Sequence, residues 1–294
     1  MSIVVVGDLM VDVVAAAQTQ LSHASDTPAR VAYAGGGAAA NVAAWLGELG
    51  APVALVARIG GDLVGRGAVE ELRDRGVDTR IVIDFEHPTG TCIVLVEPGG
   101  ERTMLPDRGA NLHLTPGDLP DDLFVPGAHL HLSGYVLLDP SGRDAGLAAL
   151  ERARACGMTI SVDPASEAPL RACPPEAFLE MVRGVDLLLP NLDEARALTG
   201  LDDPSAAAEA LLPWTREAVV KFGAGGAVWT DGASVELVEA PVVGAVDTTG
   251  AGDAFAAGLL ASRYAGASAR AALSAACSTG ARAVTVTGAR PLRR

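Results

Sequence analysis

From residue 128 onward the chain repeats one rhythm: a short apolar run, then a stretch with helical periodicity. Runs at 129–132, 159–162, 187–189 and 218–221 alternate with amphipathic or Ala-rich stretches at 145–156, 175–182, 193–198 and 207–212. Runs at 228–230 and 235–238 form a final strand pair, and two Ala-rich helices are expected at 252–264 and 268–279. Strands joined by helical crossovers bury both faces only in a mostly parallel sheet covered by helices on each side. The fold class that follows is α/β, a doubly wound sheet whose ligands bind at the C-terminal edge of its strands.

The first third partly obeys the same rhythm. A β-branched strand at 3–6 ends at Gly7-Asp8. A helix over 38–49 follows Gly35-Gly36-Gly37 and stops at Gly50. Strands at 53–58 and 79–83 flank a helix over 63–75. Brief runs at 11–15 and 29–33, and a hairpin of 91–96 with 102–105 around Pro98-Gly99-Gly100, fall outside the rhythm. They predict a small separate sheet, a lid built from segments near 11–34 and 88–107. No linker or repeat divides the chain, so residues 1–294 read as one domain carrying that lid.

Composition narrows the partners. Aromatic residues are 4% of the chain, so the core must rest on Ala, Val and Leu, which suits helices packed closely on a sheet. A net charge of −14 excludes a nucleic-acid scaffold, because affinity for a phosphate backbone comes from clustered Lys and Arg. It leaves room for one nucleotide held by backbone amides and a divalent ion. The cysteines at 92, 156, 173 and 277 show no metal-ligand spacing and read as reduced thiols. The start lacks the basic region of a signal peptide, and no apolar run reaches the ~20 residues of a membrane span. A cytoplasmic protein with small-molecule partners, and neither nucleic acid nor membrane, is the expectation.

The chemistry concentrates in Asp247-Thr248-Thr249-Gly250-Ala251-Gly252-Asp253-Ala254-Phe255. Two glycines in three residues let the backbone turn tightly into a helix. The unpaired amides of its first turn and the positive end of its dipole make an anion hole. Asp253 sits in that same turn, beside any hydroxyl approaching the anion. A base for the hydroxyl and fixed dipoles for the transferred group are what phosphoryl transfer needs.

This run resembles the C-terminal signature of the PfkB (ribokinase-like) family of carbohydrate kinases. Gly36-Gly37-Ala38-Ala39-Ala40-Asn41-Val42-Ala43 and Arg58-Ile59-Gly60-Gly61-Asp62 are similar to its N-terminal signature. Asp163-Pro164 ends a strand as in these kinases, Asn191-Leu192-Asp193-Glu194 resembles their NxxE motif, and Lys221-Phe222-Gly223-Ala224-Gly225-Gly226 resembles their nucleotide loop. No GxxxxGK[ST] phosphate loop is present, in agreement with a family that uses the Gly250–Asp253 turn instead.

The resemblance implies roles. Asp253 is the catalytic base, and the amides of Gly250, Ala251 and Gly252 stabilise the moving phosphoryl group. Asn191, Lys221, Gly223 and Gly226 contact ATP, while Glu194 organises Mg²⁺ through water. The helix around 271–280 walls the adenine. Asp12, Gly36, Gly37 and Asn41 hold the acceptor, with Ser133 near the position of a ribose-binding Glu. Asp247, Thr249, Ala283, Val286 and Gly288 match the ligands of a monovalent cation, K⁺ in relatives, although Leu292 stands where ribokinases often carry a Ser. Ala38 stands where they tend to have Lys, so ribose is not the obvious acceptor. Arg102 and Arg108, flanking the hairpin, could contact an anionic group, although the commoner fate of such residues is a solvated surface. His129 and His131 share one strand face near the sheet edge and do not suggest a metal site.

The reading is an ATP-dependent kinase for a sugar or sugar-like hydroxyl. A nucleoside kinase of the same superfamily and a non-catalytic ligand sensor are the alternatives. Nucleoside acceptors usually need an aromatic or apolar wall, and Tyr33, Phe85 and Tyr135 are the aromatic candidates. A dinucleotide oxidoreductase is set aside because no GxGxxG follows the first strand. The apolar faces of the lid (Val11, Val13, Val31, Tyr33, Ile93, Leu95) predict a homodimer through it.

Overall fold

A computed structural model describes residues 2–99 and 101–292. Its strands are β1 Ile3–Val6, β2 Met10–Ala17, β3 Ala29–Gly36, β4 Val53–Gly60, β5 Asp78–Asp84, β6 Gly90–Val96 and β7 Arg102–Asp107, then β8 His129–Ser133, β9 Thr159–Asp163, β10 Val185–Leu188, β11 Thr215–Lys221, β12 Ala227–Thr230 and β13 Val235–Val238. Nine of them form one sheet in the order β13-β12-β11-β10-β9-β8-β1-β4-β5. All neighbours from β11 to β5 run parallel, and only β12 and β13 pair antiparallel. The direction of winding reverses at β1, which lies between β8 and β4, so a crevice opens beyond its C-terminal end.

Strands as short as the Ile3–Val6 run are held by burial on both faces. Val4 and Val6 point into one apolar layer with Leu130, Leu132 and Val56. Ile3 and Val5 point into the other, beneath the helix Ala38–Glu48. That helix buries Trp45 completely, and the indole Nε1 donates to Ala289 O at 2.9 Å, fixing the C-terminal loop against the core. Burying a large side chain of this kind contributes roughly 1.5–3 kcal/mol. The helices Ala251–Tyr264 and Ala269–Ala283 pack through Phe255, Leu259, Ala272, Leu273 and Ala276, whose small members let two helix backbones approach closely.

The remaining strands make the predicted lid, a four-stranded sheet in the order β3-β2-β6-β7. Gly100, in the β6–β7 turn, lies outside the described residues. Alternation gives this sheet two different faces. Tyr33, Val13, Ile93 and Leu105 form one cross-strand row, and Ala34, Asp12, Cys92 and Pro106 the opposite one. The second row faces the crevice.

Two observations depart from the sequence reading. Short turns at Gly109–His113, Pro116–Asp118 and Asp121–Leu123, and the helices Tyr135–Leu138 and Glu167–Arg171, are too brief to leave a periodic trace. β8 is interior to the sheet, so His129 and His131 do not lie at its edge. They share Ser161 Oγ at 2.8 Å each, and burial lowers them to about 3 and about 4. Among the described residues no helix is long and apolar enough to cross a membrane.

Candidate active site

Beyond the strand ends lies a cleft of about 1140 Å³, covered by the inner face of the lid. Asp8 follows β1, Asp163 ends β9, Asn191 follows β10 and Lys221 ends β11, and all four line it. The turn before the helix Ala251–Tyr264 enters from the opposite side. Gly250 adopts φ +73°, and a Cβ there would lie 2.6 Å from Ala289 Cα, so no other residue fits. The turn thereby seats directly on the loop that Trp45 anchors.

Asp253, in the first turn of that helix, accepts a hydrogen bond from Asn41 Nδ2 at 2.9 Å. Burial pushes its carboxyl up to about 7. Asn41, Lys221 and Arg290 oppose that rise, while Asp163 adds to it. Asn41 does not choose its own orientation. Its Oδ1 accepts from Arg290 Nε at 3.1 Å, and Arg290 in turn binds Glu71 at 2.8 Å and donates to Gly36 O at 2.8 Å. With Oδ1 committed to a cation, only the amide NH₂ can face Asp253. Arg290, buried and remote in sequence, is a site residue that no motif signalled.

On the nucleotide side, Lys221 Nζ lies 2.5 Å from Asp163 Oδ2. The ammonium also abuts the anion turn, since a Cβ on Gly252 would sit 3.6 Å away. Burial works against this charge, but Asp163 and Glu194 more than offset it and hold Lys221 above its usual value. Asn191 and Glu194 form a capping box on the helix Leu192–Thr199. Glu194 accepts from Asn191 N at 2.8 Å and from Asn191 Nδ2 at 2.7 Å, and returns its own amide to Asn191 Oδ1 at 2.9 Å. Buried beside Asp163, the Glu194 carboxyl is raised. Gly223 and Gly226 line the cleft, as do Cys277, Gly280 and Ala281 of the helix Ala269–Ala283.

Mg²⁺ asks for one or two carboxylates, completing its shell with water and substrate phosphate. Among the described residues no cluster of three or more His, Cys, Asp or Glu forms a metal cage. Glu194 with Asp163 fits the smaller requirement, because each carboxylate keeps lone pairs beyond its present bonds.

The other side of the cleft is built from the end of β1, the lid and the segment after β8. Asp12 faces inward, and Gly36 lies against it so closely that a Cβ would meet Asp12 Oδ1 at 2.3 Å. Burial raises Asp12 to about 6. Arg102 and Arg108 are not solvated, as the sequence suggested. Arg108 donates to Asp8 Oδ1 at 2.6 Å and stands over the ring of Tyr135, and its buried Nε has no partner. Arg102 Nη1 donates to both Asp247 Oδ1 and Thr249 Oγ1. Gly37 and Asn41 line the cleft, whereas Ser133 lies packed under Gly7 outside the lining, its Oγ without a partner. Gly288 N donates to Asp247 Oδ2 at 2.9 Å, and Ala283 is buried in the core. Val286 stands in the loop that follows, where its amide reaches Ala283 O at 3.3 Å.

The sequence model of the pfkB family carbohydrate kinase matches residues 1–293. The chain belongs to that family. A fructokinase of Klebsiella pneumoniae is 33% identical over 266 residues, which span 87% of this chain and 82% of the relative. Among solved structures, the adenosine kinase of Sinorhizobium meliloti superposes with a TM-score of 0.89 at 28% identity, covering 99% of this chain and 96% of that one. A putative ribokinase II of E. coli, solved in complex with ATP and Mg²⁺, superposes with a TM-score of 0.87 at 26% identity, covering 98% and 94%. This pfkB-family protein is therefore a carbohydrate kinase of ribokinase-like fold, transferring a phosphoryl group from ATP to a sugar or nucleoside.

Proposed function

We propose that this kinase phosphorylates a sugar or sugar-derived hydroxyl, with Asp253 as general base and the Gly250–Asp253 turn as anion hole. The observation that carries the reading is the meeting of three things in one turn. These are a carboxyl at about 7, an oriented donor from Asn41 and the amide end of a helix of 14 residues. A base near neutrality is poised both to accept a proton and to release it.

The proton of the acceptor hydroxyl passes to Asp253 as its oxygen attacks the γ-phosphorus, and the bond to the β–γ bridging oxygen breaks. Charge on the transferred group meets the amides of Gly250 and Gly252 and the Lys221 ammonium. The Ala251 amide is already directed to Thr248 O at 3.3 Å, a long bond that a phosphoryl oxygen can displace. Glu194, with Asn191 beside it, would hold Mg²⁺ through water, and the ion would there neutralise charge on the phosphates. The lid keeps competing water from the γ-phosphate.

A sugar is favoured over a nucleoside by the cleft wall. Tyr33 and Phe85 are 74% and 89% exposed and away from the cleft. Tyr135 and Phe255 do line it, but Arg108 already stands over one face of the Tyr135 ring, 5.1 Å from its centre. Asp8, Asp12 and the spare Arg108 Nε offer hydrogen-bonding groups suited to hydroxyls or a sugar carboxylate. The exposed lid row of Tyr33, Val13, Ile93 and Leu105 supports a homodimer through the lid. The free cysteines fit a reducing, cytoplasmic compartment.

The test is ADP release from Mg·ATP against sugars, sugar acids, sugar phosphates and nucleosides, with Asp253→Asn run beside the wild type. Sugar-dependent turnover lost in the variant is the expected result. Undiminished turnover in Asp253→Asn, or turnover on nucleosides alone, would overturn the proposal.

A further inference from the structure

The anion turn is entered through Asp247 and Thr249, and the charge facing them is supplied by the lid. Arg102 opens β7, and its Nη1 donates to Asp247 Oδ1 and Thr249 Oγ1 together. The rest of the Asp247 carboxylate is directed inward. Thr249 N donates to Oδ1 at 2.8 Å and Gly288 N to Oδ2 at 2.9 Å. Asp247 is nearly buried and Arg102 three-quarters so, at 6% and 25% side-chain exposure. Burial alone would raise the Asp247 carboxyl; the Arg102 guanidinium and these amides hold it below its usual value.

This donor set does not suit a monovalent cation. The charged member of the oxygen set matched to such an ion is Asp247, and here it already faces a guanidinium. Asp247 is the only carboxylate among the positions matched to that ion. Leu292, where an oxygen ligand is expected, is 65% exposed and offers a hydrocarbon side chain. A second cation on the same carboxylate would meet the fixed guanidinium charge at contact distance. Arginine suits such a post because it never loses its charge, and one guanidinium nitrogen here serves both acceptors.

We propose that Arg102 is a tethered counter-cation that replaces the monovalent ion beside the anion turn. The inference rests on the reading of that turn as the anion hole. The charge travels with the lid, so the turn is fully set only when β7 lies over the cleft. K⁺ is then no requirement of this kinase, and Arg102 is a positioning residue for the γ-phosphate.

The test is calorimetric binding of Mg·AMPPNP to the wild type, Arg102→Ala and Arg102→Lys. Titrations run in KCl and in tetramethylammonium chloride at equal ionic strength, with and without added guanidinium ion. Wild type is expected to bind equally in both salts. Arg102→Ala is expected to bind about tenfold more weakly in tetramethylammonium, as loss of a charged hydrogen bond implies. Added K⁺ or guanidinium should restore it, and Arg102→Lys should stay insensitive to the salt. Wild-type affinity that rises selectively in K⁺ would overturn the proposal. So would Arg102→Ala affinity equal to wild type, or one that neither cation restores. No acceptor is needed, so failure here is distinct from failure of the Asp253 assignment, which is read from turnover.

Discussion

Asn41 Nδ2 meets Asp253 Oδ2 at 2.9 Å and joins residues 212 positions apart. One comes from the first helix, the other from the helix that follows the anion turn. The bond favours the charged carboxylate and so partly counters the rise that burial imposes. Replacing Asn41 with Ala removes that counterweight, and the Asp253 carboxyl should rise further above about 7. The acid limb of kcat/KM should then move to higher pH, with activity lost more at neutral than at alkaline pH. A pH–rate profile checks this, and an unmoved limb would separate Asn41 from the base.

Asp253→Asn should lower turnover on the order of 10²–10⁴-fold, the usual share of a general base. It should also stabilise the fold. A carboxyl raised from 3.8 to about 7 binds its proton more tightly folded than unfolded. Its contribution to stability is therefore fully present below the unfolded value and is lost as pH rises through the folded one. Above neutrality the wild type carries that loss and the amide does not. Asp253→Asn should be more stable at alkaline pH by on the order of 1–3 kcal/mol, and the gap should narrow on acidification. Asp12, raised to about 6, should behave alike over a window ending lower. Paired thermal melts against pH decide the sign.

Much of this was legible before any coordinates. The βα rhythm fixes the sheet, and the 247–255 run fixes the anion turn, because both are local patterns with local causes. The lid was legible as an exception to that rhythm. Arg290 was not. It is one arginine near the C-terminus whose role depends on Glu71, Asn41 and Gly36 converging on it. Arg102 was misread for a related reason: an arginine beside an exposed turn looks solvated until the lid folds it onto Asp247. Ser133 shows the reverse error. The resemblance put it near the position of a ribose-binding Glu, but the side chain packs beneath Gly7.

Tyr33 and Ile93 test the outer face of the lid. They lie 74% and 43% exposed in one cross-strand row with Val13 and Leu105 between and beside them. If that row is covered by a second copy, Tyr33→Glu with Ile93→Asp should convert a dimer to a monomer in sedimentation velocity. Both side chains point away from the cleft row that carries Asp12, so nucleotide binding should persist. A wild type that sediments as a monomer at every concentration would remove the lid dimer.

Lys221 is the most heavily contested charge in the cleft. It faces Asp163 at 2.5 Å and is held charged also by Glu194 and Asp253. Lys221→Met leaves Asp163 and Glu194 without their counterion, and losing one partner of a buried pair costs roughly 3–5 kcal/mol. Glu194 already sits above its usual value, so acidification should recover part of that loss by protonating it. Adding Asp163→Asn removes the second charge, and the double variant should return towards wild-type stability, giving a coupling energy in a double-mutant cycle. If Lys221 were only the partner of Asp163, the double variant would bind Mg·AMPPNP as well as Asp163→Asn alone. Its place beside Gly252 predicts otherwise: stability returns while binding stays weaker than in Asp163→Asn. Chemical denaturation and calorimetry on the four proteins separate the two roles, and binding equal to that of Asp163→Asn would confine Lys221 to holding the fold.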